Sequence, residues 1–176
     1  MLQKRTISLT LNYRQITAEV FEHYRLVDFL QEDLGLSGTK VCCAIGTCRA
    51  CVIAYRENSE SPFSALQSCS IPATSMDGKE LVTVEGLKTD GGRLHPLQQA
   101  FLSHFSFQCG YSAPGFLMAA FALMDQLAKQ PVAKQKLKQV IDRAVGRHIC
   151  RCGGYIKYYQ AIEATILQHK GLVIDP

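Results

Sequence analysis

The chain has 176 residues, of which 47% are hydrophobic, and its formal net charge is +4 at pH 7. This length holds one ordinary domain or two small ones, and the apolar content excludes a chain that is disordered by composition. The positive residues are scattered, without a basic run, so no nucleic-acid binding is indicated. No apolar run reaches membrane-spanning length and no export signal is visible, which predicts a cytoplasmic protein that does not insert into a membrane.

The first part of the chain has the patterns of a small sheet. Alternating apolar and polar residues predict a strand over 5–12, a turn, and a second strand over 15–20. Apolar residues near helical spacing predict a short helix over 26–34. Further strands are predicted over 51–55 and 81–84. Together these elements predict a small α+β domain.

A cysteine-rich loop lies between the predicted helix and the next strand. Cys43, Cys48 and Cys51 have the spacing C-x4-C-x2-C, and Cys69 follows after seventeen more residues. Three thiols on one tight loop with a fourth at a distance form the plant-type [2Fe–2S] ligand pattern. Small residues allow such a loop to turn its backbone N–H groups toward sulfur. These small residues are Ala44, Gly46, Thr47 and Ala50.

A zinc knuckle or a redox dithiol is the alternative interpretation of C-x2-C. A zinc site would more often show two separated C-x2-C pairs, and it does not require the extra cysteine upstream. The eight cysteines would fit a disulfide scaffold only in a secreted protein. We therefore interpret them as metal ligands in a reducing compartment.

The second half of the chain has helical periodicity. Residues 88–92 are polar and contain paired glycines, which predicts a linker. One helix is predicted to start at Pro96, and three more over 115–129, 133–145 and 155–170. Four helices with short connections predict a helical bundle.

Three further cysteines lie in the predicted connections of this half. Cys109 separates the first two helices, while Cys150 and Cys152 separate the last two. Connections at one end of a bundle lie close together, so these thiols can form a second metal centre. The alternative is three unrelated buried cysteines. His148 is interpreted as a residue beside this site or on the surface.

Four segments resemble the iron–sulfur subunit of the molybdenum hydroxylases, the xanthine dehydrogenase and aldehyde oxidase family. The family loop GTKxGCGxGxCGAC corresponds to GTKVCCAIGTCRAC at 38–51. The family segments LHPxQ and QCGxCTPGF correspond to LHPLQ at 94–98 and QCGYSAPGF at 108–116. The family segment CRCTGY corresponds to CRCGGY at 150–155.

The resemblance implies an α+β protein with two domains, each holding one [2Fe–2S] cluster. A β-grasp, ferredoxin-like domain is expected over 1–87 and an all-α four-helix bundle domain over 93–172. It also implies a large partner subunit carrying a molybdopterin cofactor, and a flavin or cytochrome subunit as acceptor. This chain is then expected to relay single electrons and to perform no substrate chemistry itself.

The resemblance also implies site residues. The expected ligands of the first cluster are Cys43, Cys48, Cys51 and Cys69. Those of the second cluster are Cys109, Cys150 and Cys152. Gln108 corresponds to a family glutamine that contacts the pterin.

The chain departs from the family at several positions. Ser112 replaces the remaining cysteine of the second site, and we expect its oxygen to bind iron; the alternative is an incomplete or empty site. Cys42, Ala44 and Arg49 replace glycines of the first loop. Ala44 and Arg49 place a Cβ where the loop favours positive φ. Cys42 is interpreted as a small filler.

Two other functions are compatible with the sequence. A stand-alone ferredoxin-like electron carrier would have no molybdenum partner. A zinc-stabilised interaction module would be colourless and would contain zinc.

Overall fold

The computed structural model describes residues 3–88 and 91–175. Five strands form one mixed sheet in the order β2-β1-β5-β3-β4. They are β1 (Lys4–Leu11), β2 (Arg14–Phe21), β3 (Val52–Arg56), β4 (Ser64–Gln67) and β5 (Glu80–Val82). β1 is antiparallel to β2 and parallel to β5, whereas β3 is antiparallel to both of its neighbours. The predicted strands are confirmed; β4 was not predicted because its sequence, SALQ, has too few apolar residues to alternate visibly.

The β1–β2 hairpin closes through a two-residue turn. Leu11 pairs with Arg14, so Asn12 and Tyr13 form the turn, with φ values of +49° and +67°. Positive φ at both positions matches the right-handed twist of the strands. The Asn12 side chain accepts a hydrogen bond from the Thr83 N–H at 2.8 Å and donates one to the Thr83 hydroxyl at 3.0 Å. The turn is thereby tied to the end of β5.

The predicted helix over 26–34 has a different form in the structure. A single α-helical turn, α1 (Leu26–Asp28), continues into a wider π-helical turn at Phe29–Asp33. The wide turn is closed by a hydrogen bond from the Leu34 N–H to the Phe29 carbonyl at 3.2 Å. These turns bury Leu26 and Leu30 against the sheet, which explains the helical spacing in the sequence.

The second half contains α2 (Pro96–Ser103), α3 (Ala113–Lys129), α4 (Leu137–Val145) and α5 (Tyr155–Gln168). α2 packs on α5, α3 packs on α4, and α4 also contacts α5. These four helices are confirmed as elements, whereas the four-helix bundle and β-grasp arrangements stay predictions. The third helix starts later than predicted, because β6 (Val132–Ala133) pairs in parallel with β7 (Val173–Ile174) and a 3-10 turn follows.

The two halves share one apolar core. α3 packs on β3 and β4 as well as on the other helices, and Val52, Ala54 and Phe63 are buried together with its side chains. The Phe63 N–H donates to the Asp125 carboxylate at 2.8 Å, and Gln126 donates to the Phe63 carbonyl at 2.8 Å. Helix α3 is therefore the element that joins the sheet to the helices.

The predicted linker at 88–92 includes Thr89 and Asp90, which lie outside the described residues. The domain bounds of 1–87 and 93–172 stay predictions. Among the described residues, no helix is both long and apolar enough to cross a membrane.

Candidate metal centres

The first cysteine loop runs between the π-helical turn and β3. Its backbone takes positive φ at Ala44 (+56°), Gly46 (+75°) and Arg49 (+63°). The loop therefore adopts the expected left-handed conformation at Ala44 and Arg49, two of the three positions where family glycines are replaced. The turns direct the Cys48 N–H toward the Cys43 sulfur, at 3.3 Å. An N–H group aimed at a cysteine sulfur is the local feature that a thiolate ligand requires.

The four thiols of the first site differ in their surroundings. Backbone N–H groups of Cys48 and Ile45 lower the pKa of Cys43 to about 6. Burial raises the pKa of Cys48 and raises that of Cys51 to about 12. Cys51 interacts with Cys69, which lies on the 3-10 turn Ser68–Ser70, and both are buried beside Val27. The site therefore has one partly exposed thiol, at Cys43, and three buried thiols.

Cys42 differs in exposure from the three buried thiols of this group. Its side chain is exposed, in contrast to the buried Cys48, Cys51 and Cys69. This agrees with its interpretation as a replacement for glycine that plays no part in the site.

The second group of thiols lies where the loops before α3 and α5 meet. The sulfur atoms of Cys109 and Cys152 are 3.3 Å apart, which brings together residues separated by 43 positions. Cys150 is buried next to them. Burial raises the pKa of Cys150, but hydrogen bonds from the Ser112 hydroxyl and from the N–H groups of Gly154, Cys152 and Gly153 outweigh it, so that the pKa is lowered. Cys109 also has a lowered pKa, because the Tyr111 N–H and the Cys152 thiol hydrogen bond to it.

Ser112 lies directly beside these thiols. It is the residue before α3, and it is only 7% exposed. Its hydroxyl hydrogen bonds to Cys150, and its oxygen lies 3.2 Å from the Tyr158 hydroxyl. The structure therefore places Ser112 next to Cys150, one of the three expected sulfur donors of this site.

Gln108 is exposed at the edge of the second site. Its side-chain amide donates a hydrogen bond to the Cys152 carbonyl at 3.0 Å. This contact holds the loop that carries Cys152. The pterin contact stays a prediction.

The two cysteine loops touch each other. The Ile149 N–H, next to Cys150, donates a hydrogen bond to the Cys48 carbonyl at 3.0 Å. At the start of α3, a Cβ added to Gly115 would overlap the Arg49 carbonyl and lie 3.2 Å from the Ala50 Cα. The absence of a side chain at Gly115 thus allows the second loop to approach the first.

His148 is buried between the two loops. Its side chain is 3% exposed and packs on the Phe116 ring at 4.7 Å. Burial, and secondly the nearby Arg49 charge, lower its pKa to about 4, so that the ring is neutral at pH 7. The alternative of a surface histidine is therefore wrong, and the position beside the site is confirmed.

Tyr155 and Tyr158 belong to the second site and were not predicted. The Tyr155 hydroxyl accepts a hydrogen bond from the Cys150 N–H at 2.9 Å. Tyr158 is 1% exposed, whereas the apolar Ile156 of the same helix is 72% exposed. A sequence pattern of apolar residues could not reveal a tyrosine that is buried because its hydroxyl has a polar partner.

The cysteines of both sites are arranged in pairs and not around a single metal ion. Among residues 3–88 and 91–175, no group of three or more His, Cys, Asp or Glu side chains is arranged around a single metal position. A [2Fe–2S] cluster instead takes two protein ligands on each iron. Cys43 with Cys48, Cys51 with Cys69, and Cys109 with Cys152 are in contact as pairs. The residues present therefore fit this cofactor by donor chemistry and by pairing.

This chain is similar in sequence to several known iron–sulfur proteins. Residues 83–163 match the family described as a [2Fe-2S] binding domain. The nicotinate dehydrogenase small FeS subunit of Eubacterium barkeri is 33% identical over 165 residues, which cover 94% of this chain and 97% of that subunit. A xanthine dehydrogenase of Blastobotrys adeninivorans is 36% identical over 134 residues, 74% of this chain and only 9% of that protein.

A solved structure has a fold similar to that of this chain. Quinoline 2-oxidoreductase from Pseudomonas putida 86 superimposes with a TM-score of 0.77 and 32% identity, covering 92% of this chain and 91% of that chain. This chain is thus similar over nearly its whole length to small iron–sulfur subunits, and it spans only a small part of the xanthine dehydrogenase.

Proposed function

This chain belongs to the family of small iron–sulfur subunits of the molybdenum hydroxylases, and from that premise we propose that it relays single electrons within a molybdopterin-dependent hydroxylase. The electrons would leave the molybdenum centre of a large partner subunit and reach a flavin or cytochrome acceptor. When bound, two [2Fe–2S] clusters would supply the one-electron carriers. The observation that carries this proposal is the hydrogen bond between Ile149 and Cys48, because it holds the two cysteine loops against each other.

The chain's own residues provide the ligands. We assign Cys43, Cys48, Cys51 and Cys69 to the cluster of the proposed domain 1–87. We assign Cys109, Cys150, Cys152 and Ser112 to the cluster of the proposed domain 93–172. Thiolates are the usual ligands of such clusters, and a hydroxyl oxygen is a harder donor that favours the oxidised iron.

Hydrogen bonds to sulfur set how much negative charge the ligands can carry. The N–H groups near Cys43 and Cys150 stabilise these residues as thiolates. Such bonds raise the reduction potential of an iron–sulfur centre, because reduction adds negative charge. Burial of Cys51 and Cys69 lowers the reduction potential, because added negative charge is less stable away from water.

A large molybdopterin-binding subunit is the partner that this function requires. Gln108 lies exposed beside the second site, between the exposed side chains of Phe107 and Tyr111. This placement supports a role for Gln108 in contacting the pterin from the partner, as the family resemblance implies. A cytoplasmic location is part of the proposal, since free thiols must be available when the clusters assemble.

The test is to purify the chain, through an affinity tag, from the cells that produce it and to analyse the complex for molybdenum and pterin. We expect stoichiometric molybdenum and a large subunit in the same fraction. A tagged chain that elutes alone with iron would indicate the stand-alone electron carrier. A colourless chain that contains zinc would indicate the interaction module instead.

A further inference from the structure

We propose that Tyr158 is a positioning residue of the second cluster site, whose hydroxyl donates a hydrogen bond to Ser112 Oγ and holds that oxygen beside Cys150 as the fourth ligand. This inference rests on the proposed function. It assigns a role to a residue that no cysteine or histidine pattern identifies.

The polar contact is buried on both sides. The Tyr158 hydroxyl and Ser112 Oγ are 3.2 Å apart, and their residues are 1% and 7% exposed. The Ser112 and Tyr158 hydroxyls both also interact with the Cys150 thiol, so the three groups lie together. A buried hydroxyl without a partner is destabilising, because it loses its hydrogen bonds to water and gains none. The pair therefore fixes the direction of a side chain that would otherwise have three rotamers.

Packing holds the Tyr158 ring in place. The ring stacks on Phe116 at a centroid distance of 4.2 Å and an angle of 19°, and it contacts Phe101 at 5.3 Å. A Cβ added to Gly154 would lie 3.0 Å from Tyr158 Cε2, so this glycine leaves room for the ring. The hydroxyl is thus held at Ser112 by rigid neighbours, independently of the hydrogen bond.

An oxygen ligand depends on a hydrogen-bond donor more than a sulfur ligand does. A serine hydroxyl is far less acidic than a thiol, so its charged form must be stabilised where it binds iron. On binding, the Ser112 O–H bond breaks, an O–Fe bond forms, the proton passes to water, and no electron changes hands. Ser112 then has no hydrogen to donate, whereas Tyr158, a phenol that is protonated at neutral pH, still has one. Its hydrogen bond disperses the negative charge on the serine oxygen.

The test uses Tyr158→Phe in the full chain, with Tyr159→Phe as the matched control. Tyr159 makes the same kind of hydrogen bond, but to Asp142 at 2.7 Å. Iron and sulfide would be counted, and EPR-monitored redox titrations would follow both cluster signals. In Tyr158→Phe we expect only the second signal to change, with a more negative midpoint potential or a loss of up to two irons. Tyr159→Phe should leave both signals and the iron count unchanged.

A rescue variant separates positioning from a simple effect on folding. If Tyr158→Phe loses the second cluster, Ser112→Cys/Tyr158→Phe should restore it, because a thiolate needs no phenol donor. Failure of this rescue would overturn the proposal. An unchanged second signal in Tyr158→Phe would also overturn it, as would an unchanged second signal in Ser112→Ala.

The unmodified chain distinguishes failure of this inference from failure of the proposed function. If the unmodified chain contains two clusters and Tyr158→Phe behaves like it, only the inference fails. If the unmodified chain contains zinc or no second cluster, the proposed two-cluster function fails first, and the role of Tyr158 fails with it.

Discussion

Individual residues of the first loop show how closely its backbone is constrained. Ala44 and Arg49 adopt positive φ although each carries a Cβ. This conformation costs a non-glycine residue about 1–2 kcal/mol. The turns at Ala44 and Gly46 lie between Cys43 and Cys48, whose N–H group reaches the Cys43 sulfur at 3.3 Å.

We predict that Arg49→Gly stabilises the chain relative to Arg49→Ala by about 1 kcal/mol, since glycine removes the strain at φ +63° and alanine does not. Anaerobic thermal unfolding of the full chain measures the difference. Both variants lose the same charge and the same long side chain, so the comparison isolates the backbone. Equal melting temperatures would show that the loop is not strained at this residue.

The same variants should also change the reduction potential of the first cluster. Arg49 lies beside the first site, and its positive charge would stabilise the reduced cluster. Both variants should therefore make the first midpoint potential more negative. An unmoved potential would contradict this role.

The sequence predicts the sulfur donors from the spacing of the cysteines and from the family resemblance, and the ligand assignment stays a prediction. It did not predict Tyr158, whose part in the site depends on Ser112 lying 46 positions away and on the space left by Gly154. His148 was predicted either beside the site or on the surface, and its burial depends on Phe116 of helix α3, which the sequence pattern does not place.

At the scale of elements, α3 positions both loops. Its first turn lies on the backbone of Arg49 and Ala50, and its middle packs on β3 and β4. Since a Cβ at Gly115 would overlap the Arg49 carbonyl, the start of this helix sets the separation of the two sites.

We predict that Gly115→Ala destabilises the chain by about 1–3 kcal/mol, because the added methyl group must push the two loops apart. Thermal unfolding measures this, and Gly91→Ala is the matched control, since a Cβ there has no neighbour within 4 Å. The second EPR signal of Gly115→Ala should also broaden or weaken. Stability equal to that of Gly91→Ala would contradict the close approach.

Sequence patterns predicted the long elements and missed the short ones. The 17 residues of α3 give a strong helical pattern. The β6–β7 pair has two residues in each strand, and its hydrogen bonds join distant parts of the chain. The π-helical turn at Phe29–Asp33 buries the same face as an α-helix would, so its apolar pattern does not distinguish the two.

At the scale of the whole molecule, the two predicted halves are joined by a common core. Val52, Ala54 and Phe63 belong to the sheet half but are buried with the helices. Periodicity changes near residue 90 and so suggested two domains, but periodicity does not report packing between them. This shared core keeps the loops that carry Cys48 and Cys150 in contact, which is what electron transfer between two sites needs.

The proposed electron relay requires two [2Fe–2S] clusters in this chain. The most direct measurement is the count of iron and acid-labile sulfide per chain in anaerobically prepared protein, with an EPR spectrum after dithionite reduction. We expect about four irons and two distinct signals, since a [2Fe–2S] cluster has two irons and the fold holds two donor sets. Two irons with a single signal, or zinc that persists when iron is supplied, would contradict the proposal.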